Sequence, residues 1–506
     1  MAVMQHRSAV PAWIESYAPG FLFLFVLSLL YALPLFFDGR YYLDDLPHAM
    51  NGLTLWEQDG RPLASIISSL ISFQIPSFNS PALIDISPLP QILSLAALAF
   101  AASRLARVLF NVPPDLWQNL VVFPLIASPF MLQNLSYRFD ALTMGLSVMF
   151  AILACLPTPL GWPRLLLGAA QLLAALCLYQ AAVNMFVAAT ALLSIAICWN
   201  RSEGLKALLI GNIAKLVGAL SAYMIILELS GGLGSDYAAS HSKLIPLDGA
   251  SLTAILFNFQ FGNFFVSELV SDAPLLAVAA VASVLIFSAR LILGGTGYTP
   301  ALRTVIALLG LIVLGGSIMG ILLLLAQPVV RPRTLMALSM LLIYGSFAFH
   351  ELTRGQHRAW RVGLVFSTAW FFALAHGLAN AAHDQTRFDN YLAASISTDL
   401  QHQGFKPNDK LVFDGTQPRS PAAENASRSK LIARILQMNM NGNSEWGFRL
   451  LESFGLKSTP VMDADEAMLK SVCIDSSLAQ TALYQIFRKD QLFMVSFPGG
   501  VCFKVQ

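Results

Sequence analysis

Two adjacent carboxylates, Asp44 and Asp45, follow the first long apolar run of this 506-residue chain. An ionised carboxylate held beside a bilayer can take a proton from a hydroxyl as a general base. The plainer reading of the same pair is a helix cap and a solvated loop. Leu46, Ala49, Met50, Leu53 and Trp56 follow at helical spacing, so 46–58 reads as an amphipathic surface helix with Pro47 in its first turn. One aspartate then caps that helix and the other is left for chemistry. Arg138, Arg331 and Arg333 offer guanidinium forks that match phosphate, although arginines near a membrane also snorkel. Asp140, Tyr179, Gln180, Asp236, His241 and Asn380 complete the set of polar residues near expected span ends. Tyr179–Gln180 reads equally as helix packing and His241 as a loop histidine.

No phosphate loop, dinucleotide glycine fingerprint or G-x-S-x-G stands in the chain, so a soluble nucleotide donor has no visible cradle. No His/Cys/Asp spacing suggests zinc, and no metal or other cofactor is expected. Cys155, Cys177 and Cys198 sit in apolar runs and read as buried small hydrophobes. Cys473 and Cys502 lie in a polar tail and can pair in an oxidising compartment.

The elements that position these residues are membrane helices. The chain is 56% hydrophobic and 12% charged, with mean hydropathy +0.63, which is the composition of a polytopic membrane protein. A net charge of +2 gives no polybasic signature for nucleic acid. Spans read at 17–37, 88–110, 116–134, 140–157, 163–178, 180–199, 207–229, 273–294, 302–326, 333–350 and 361–381, about eleven in all. The first lacks a small-residue cleavage site and reads as a span rather than a leader. The stretches 62–75 and 251–270 read as interfacial or re-entrant, the second because asparagines and a glutamate interrupt it.

With the N-terminus cytoplasmic, the inner loops hold Arg7, Arg104, Arg107, Arg164, Arg201, Lys206, Arg290, Arg303, Arg354, Arg358 and Arg361. The outer loops hold Arg40, Arg61, Arg138, Lys243, Arg331 and Arg333. The excess inside favours this orientation. It sets every candidate residue named above on the outer side and makes 384–506 a soluble periplasmic domain after a membrane domain of 1–383. That tail reads as small and mixed α/β. A helix is expected over 386–401, a strand at 410–415, two strands within 482–497 and a last one at the end of the chain.

The motifs "YYLDDLPHAMNG", "DGRPLA", "DISPLPQIL", "NLSYRFDALTMGLS", "LYQAAVNMF", "DYAASHSKLI" and "RPRTLMALS" resemble, in order, the GtrII family of bacterial glucosyl transferases. The resemblance runs from about Tyr41 to Asn380, more loosely into the tail. It implies a GT-C type helical bundle in the bacterial inner membrane with its catalytic site on the periplasmic side. It also implies a polyprenyl-phosphate-linked glucose donor and O-antigen or another cell-surface glycan as acceptor, with a functional link to the donor-lipid synthase and flippase. On this reading Asp44, Asp45 and Asp140 are catalytic, and Arg138, Arg331 and Arg333 hold the donor phosphate. Tyr179, Gln180, Asp236, His241 and Asn380 line the sugar or acceptor pocket, and transfer inverts the anomeric carbon.

The rival readings are a lipid-linked sugar flippase or other transporter, and an O-antigen polymerase or ligase. A transporter places polar groups along mid-span, and here Lys215, Asn212 and Glu228 are the exceptions to clean spans. A polymerase or ligase carries a large central outer loop, whereas this chain has its soluble mass at the C-terminus.

Overall fold

The computed structural model describes residues 12–503, except 77, 79, 201, 202, 231, 247, 248, 250, 295, 296, 408, 443, 463, 475 and 476. Arg7 and Arg201, used above for orientation, lie outside the described residues. The chain divides into two units. The first takes in the described residues up to Leu33, Thr54–Ala82 and Ile86–Ala375; the second takes in Pro34–Leu53, Leu83–Asp85 and the described residues from His376 onward.

The first unit is helical. Among the described residues, six helices are long and apolar enough to cross a membrane: Pro19–Phe37, Leu89–Phe110, Ala182–Asn200, Leu205–Leu229, Pro274–Gly294 and Ala359–His402. The last continues past Ala375 into residues of the second unit. A bent pair, Leu116–Ala127 and Pro129–Leu135, turns through 57° and makes a seventh if counted as one span. Pro124 and Pro129 cannot supply ladder N–H groups there, and the buried Ser128 at the break caps the second piece by accepting from Met131 N–H. The remaining expected spans are shorter helices: Ala141–Cys155 with 15 residues, Trp162–Leu178 and Pro300–Gly316 with 17 each, and Leu338–Thr353 with 16. Such helices rise about 23–26 Å, against a hydrocarbon core of about 30 Å.

The region 251–270, expected to be interfacial or re-entrant, is a helix, Ser251–Asp272, and is not among the six long apolar helices. Its Asn258 does not break the helix, because the side-chain amide turns outward onto the carbonyls of Leu323 (3.2 Å) and Leu325 (2.9 Å). The stretch 62–75 holds the ten-residue helix Pro62–Ile71.

Helices without a hydrophobic driving force between them pack through small residues. A methyl group on Gly145 would sit 2.1 Å from Ser94 Oγ and 3.0 Å from Ser94 Cα, so Ala141–Cys155 lies directly on Leu89–Phe110. On Gly310 it would meet Ile195 at 2.8 Å, which sets Pro300–Gly316 against Ala182–Asn200.

The mid-span polar residues have structural partners. Lys215 Nζ donates to the carbonyl of Ala154 (2.8 Å) and to Asn212 Oδ1 (3.1 Å), and Asn212 Nδ2 donates to the carbonyl of Cys155 (2.9 Å). Both therefore satisfy carbonyls left over at the C-terminal end of Ala141–Cys155, where a cation also meets the negative end of the helix dipole. Glu228 is exposed, one residue from the end of its helix.

The second unit is a mixed sheet with helices around it. Strand order is Thr459–Pro460, Lys410–Asp414, Leu492–Ser496, Gln485–Lys489, Ala479–Gln480. Lys410–Asp414 pairs parallel to Thr459–Pro460 and to Leu492–Ser496, and the other pairs are antiparallel. The expected strand at 410–415 and the pair within 482–497 are present. Of the expected terminal strand, 504–506 lie outside the described residues, and the described residues 500–503 are not strand: they turn back onto Asp414, whose carboxylate accepts from Val501 N–H and Cys502 N–H, both at 2.8 Å, and from Ser496 Oγ. Cys473 and Cys502 form a disulfide across a separation of 29 residues. Leu392, Ile396 and Leu400 of the long helix Val362–His402 join Leu411, Phe413, Phe493 and Val495 in the core of this unit.

Candidate active site

Asp59-Gly60-Arg61 is a tight turn at the end of the 3-10 helix Trp56–Asp59. Gly60 has φ +75°, and a Cβ there would lie 2.7 Å from Tyr223 Oη, so both conformation and space call for glycine. Four side-chain and backbone donors fix the turn. Gln180 Nε2 donates to the carbonyl of Asp59 (2.7 Å) and to Tyr223 Oη (3.0 Å), and the Tyr223 hydroxyl donates to the carbonyl of Gly60 (2.9 Å). Ser235 Oγ donates to Asp59 Oδ1 (2.8 Å), and Gly234 N–H to the carbonyl of Gln58 (2.9 Å).

The turn presents Arg61 between two carboxylates. Its Nη1 lies 3.6 Å from Asp140 Oδ1 and its Nη2 3.5 Å from Asp59 Oδ2, and its guanidinium carbon lies 5.7 Å from the centre of the Tyr179 ring. The Asp140 side chain is 3% exposed and that of Arg61 13%, so this charge cluster is largely shielded from water. Asp140 occupies the N-cap position of Ala141–Cys155.

A second arginine is fixed by residues that lie just before Asp140 in sequence. Arg333 Nη1 donates to the Tyr137 hydroxyl, its guanidinium carbon lies 5.2 Å from the centre of that ring, and its backbone N–H donates to Gln133 Oε1 (2.7 Å). Tyr137, Arg138 and Asp140 share one short stretch, so it serves both the Arg61 and the Arg333 clusters. Arg331 is exposed and Arg138 half-buried. His241 Nδ1 meets the carbonyl of Gln327 (2.6 Å), and backbone bonds from Ile245 to Leu324 and from Ala326 to Lys243 tie 241–245 to the segment leading into Arg331. Asp236 is exposed in the first turn of Asp236–His241.

The remaining predicted residues belong to the second unit. The helix expected over 46–58 ends early: Asp45–Asn51 is helical, and Gly52 caps it in the left-handed conformation with φ +69°. The expected aspartate cap is also absent in that form. Asp44 occupies the N-cap position without a side-chain cap bond, while Asp45, 1% exposed, accepts from the N–H of Tyr42 (2.9 Å) and so closes the turn before the helix. This stretch is held by the tail: the Tyr42 hydroxyl donates to the carbonyl of Ile435 (2.6 Å), and Arg40 Nη2 to that of Gln437. Asn380 is exposed on Val362–His402.

Of the residues gathered around Arg61 and Arg333, the sequence singled out Asp140, Tyr179 and Gln180, named Arg61 only as an outer-loop charge, and did not point to Asp59, Tyr137 or Tyr223. The available signal was the acid-glycine-base order of 59–61, which reads as an ordinary turn unless a glycine between opposite charges is given weight. Among the described residues no three His, Cys, Asp or Glu side chains gather as a metal-binding group.

A membrane-associated, mostly helical protein with a buried acid–arginine cluster and a small sheet-containing unit is the class that these features define. The chain matches the family model for glucosyl transferase GtrII over residues 33–346. It belongs to the GtrII glucosyl transferase family, and with it to the glycosyltransferases. It is similar to an uncharacterized 55.3 kDa protein in the gtrB 5′ region of Salmonella phage P22, with 26% identity over 442 residues, covering 84% of this chain and 88% of that protein. No solved structure matches it.

Proposed function

We propose that this chain moves glucose from a polyprenyl-phosphate donor to a hydroxyl of O-antigen or a related cell-surface glycan, at the periplasmic face of the bacterial inner membrane. The observation that carries this reading is the family match, because residues 33–346 include every residue proposed for chemistry from Asp44 to Arg333. The N-terminus is cytoplasmic and the bundle is GT-C-like with about eleven crossings, the short and bent helices making the crossings beyond the six long ones. A donor activated on a lipid suits a compartment without nucleotide sugars, and it links the chain functionally to the enzymes that make and flip that donor.

Asp44 is the base. It is half-buried, whereas Asp45 is buried and its Oδ2 already accepts from the Tyr42 N–H. Asp44 takes the proton of the acceptor hydroxyl, whose oxygen attacks the anomeric carbon from the face opposite the phosphate. The bond from that carbon to the phosphate oxygen breaks, its electron pair leaves with the polyprenyl phosphate, and the configuration inverts. Arg331 and Arg138 meet the growing negative charge on the phosphate, and Arg333, fixed by Tyr137 and Gln133, holds their loop. Tyr179, Gln180, Asp236, His241 and Asn380 are assigned to the sugar and acceptor pocket, with Gln180 acting through the Asp59–Arg61 turn. No metal is invoked; Arg61 supplies the positive charge between Asp59 and Asp140.

The transporter reading loses its main sequence support, because Lys215 and Asn212 serve a helix end. The test is replacement of Asp44 and Asp45 by Asn, singly and together, in cells that make the modified polysaccharide. Loss of a general base lowers transfer about 100-fold or more in Asp44→Asn, with the protein still in the membrane at normal level. Full activity in both single variants and in the double variant would remove the base from this mechanism.

A further inference from the structure

The second unit contains a cavity of about 260 Å³. Its wall is built from two distant parts of the chain, 39–46 and the tail between 386 and 454. The polar lining is mixed in kind: Asp389, Asn390, Asn439 and Ser453 bring acceptors and donors, Trp446 brings a half-buried aromatic ring, and Arg40 is the one cation among the described lining residues.

The polar floor is fixed before any ligand arrives. Asp389, 3% exposed, accepts from Gln385 Nε2 (2.7 Å), from Gln417 Nε2 and from Asn439 Nδ2 (3.1 Å). Gln385 and Gln417 are themselves held, by Ser420 N–H and Met440 N–H, both at 2.8 Å. The Asn439 amide is thus set in one orientation at the cavity wall, as a recognition site requires. A phosphate would call for several cations, and a polyprenyl chain for a long apolar channel; this lining offers neither. Neutral hydroxyls matched by Asn, Asp and Ser, with a sugar ring's C–H face laid on an indole, fit it better.

We propose that this cavity binds one sugar unit of the acceptor glycan. The wall residues Arg40, Tyr41, Leu43 and Leu46 flank Asp44, the proposed base, in sequence. The inference rests on the glycosyltransferase reading for the word acceptor, but the binding itself does not.

The test uses the full chain in detergent, with O-polysaccharide released by mild acid from the lipopolysaccharide of cells that the chain modifies, and calorimetric titration as readout. Wild type binds; Trp446→Ala weakens binding at least tenfold and raises the acceptor KM equally, leaving the donor KM in place. Ser453→Trp changes an exposed residue at the cavity wall and does the same by filling the space, which decides the matter if Trp446→Ala does not fold. Wild-type affinity and acceptor KM in Ser453→Trp would overturn the inference while leaving the transfer reading standing. Binding that both variants lose, in a protein that transfers no sugar, would sink the transfer reading and keep the cavity as a glycan site.

Discussion

At the scale of single residues, Arg61 decides the electrostatics of the first unit. One guanidinium faces two carboxylates and a tyrosine ring, and Asp140 is almost wholly buried. Removing one partner of a buried ion pair leaves the other charge uncompensated, at a cost of about 3–5 kcal/mol. Arg61→Ala is therefore expected to lower the unfolding temperature in detergent and, by releasing the turn beside Asp140, to lower transfer. Arg61→Lys recovers part of it, because an ammonium cannot fork between Asp59 and Asp140. Transfer assays on purified protein check this, with added chelator expected to leave the wild type unaffected. Equal activity in Arg61→Ala and wild type, or loss of wild-type activity on chelation, would show that the cluster works otherwise. Asp140 stood out in the sequence as an acid two residues from an arginine at an expected span end, and the structure gives it an ion pair with Arg61. Arg61 was legible only as an outer-loop charge, since its partner Asp140 is 79 positions away and no local pattern joins them.

At the scale of elements, long apolar runs announced themselves and short helices did not. Six expected spans coincide with the six long apolar helices. Proline and glycine at 124, 129 and 315–316 cut other apolar runs short, which hydropathy alone does not register. Lys215 also looked anomalous until its partner was visible: it closes the end of a 15-residue helix that stops inside the bundle. Lys215→Met is expected to leave the carbonyl of Ala154 and Asn212 Oδ1 poorly satisfied and to cost about 1–3 kcal/mol. The cost should show as a lower unfolding temperature in detergent and less protein in the membrane, with transfer per surviving molecule unchanged. A stable Lys215→Met protein with altered sugar specificity would instead put Lys215 on a substrate path and revive the transporter reading.

At the scale of the whole molecule, the tail shares one compact unit with a stretch near the start of the chain. Pro34–Leu53 belongs to the same unit as the residues from His376 onward. Tyr42 reaches Ile435 across 393 positions of sequence, which is why a reading by polarity, placing a boundary near 383, gave no sign of it. The anchors are specific: two carbonyls of 435–437 receive Tyr42 and Arg40, and Leu46 packs on the tail's core. Without the tail, Tyr42 and Arg40 lose these acceptors and the half-turn that carries Asp44 has no support on that side. A chain ending at residue 383 keeps every long apolar helix through the last expected span at 361–381, so it is expected to insert into the membrane. It is expected to transfer no sugar, and Tyr42→Phe in the full chain is expected to fall between the two, since one hydrogen bond contributes about 1 kcal/mol. Membrane fractionation and analysis of the modified polysaccharide read both outcomes. Transfer by the truncated chain at the wild-type rate would mean that the Asp44 stretch finds its working geometry unaided, and the tail would then have to be explained by something other than catalysis.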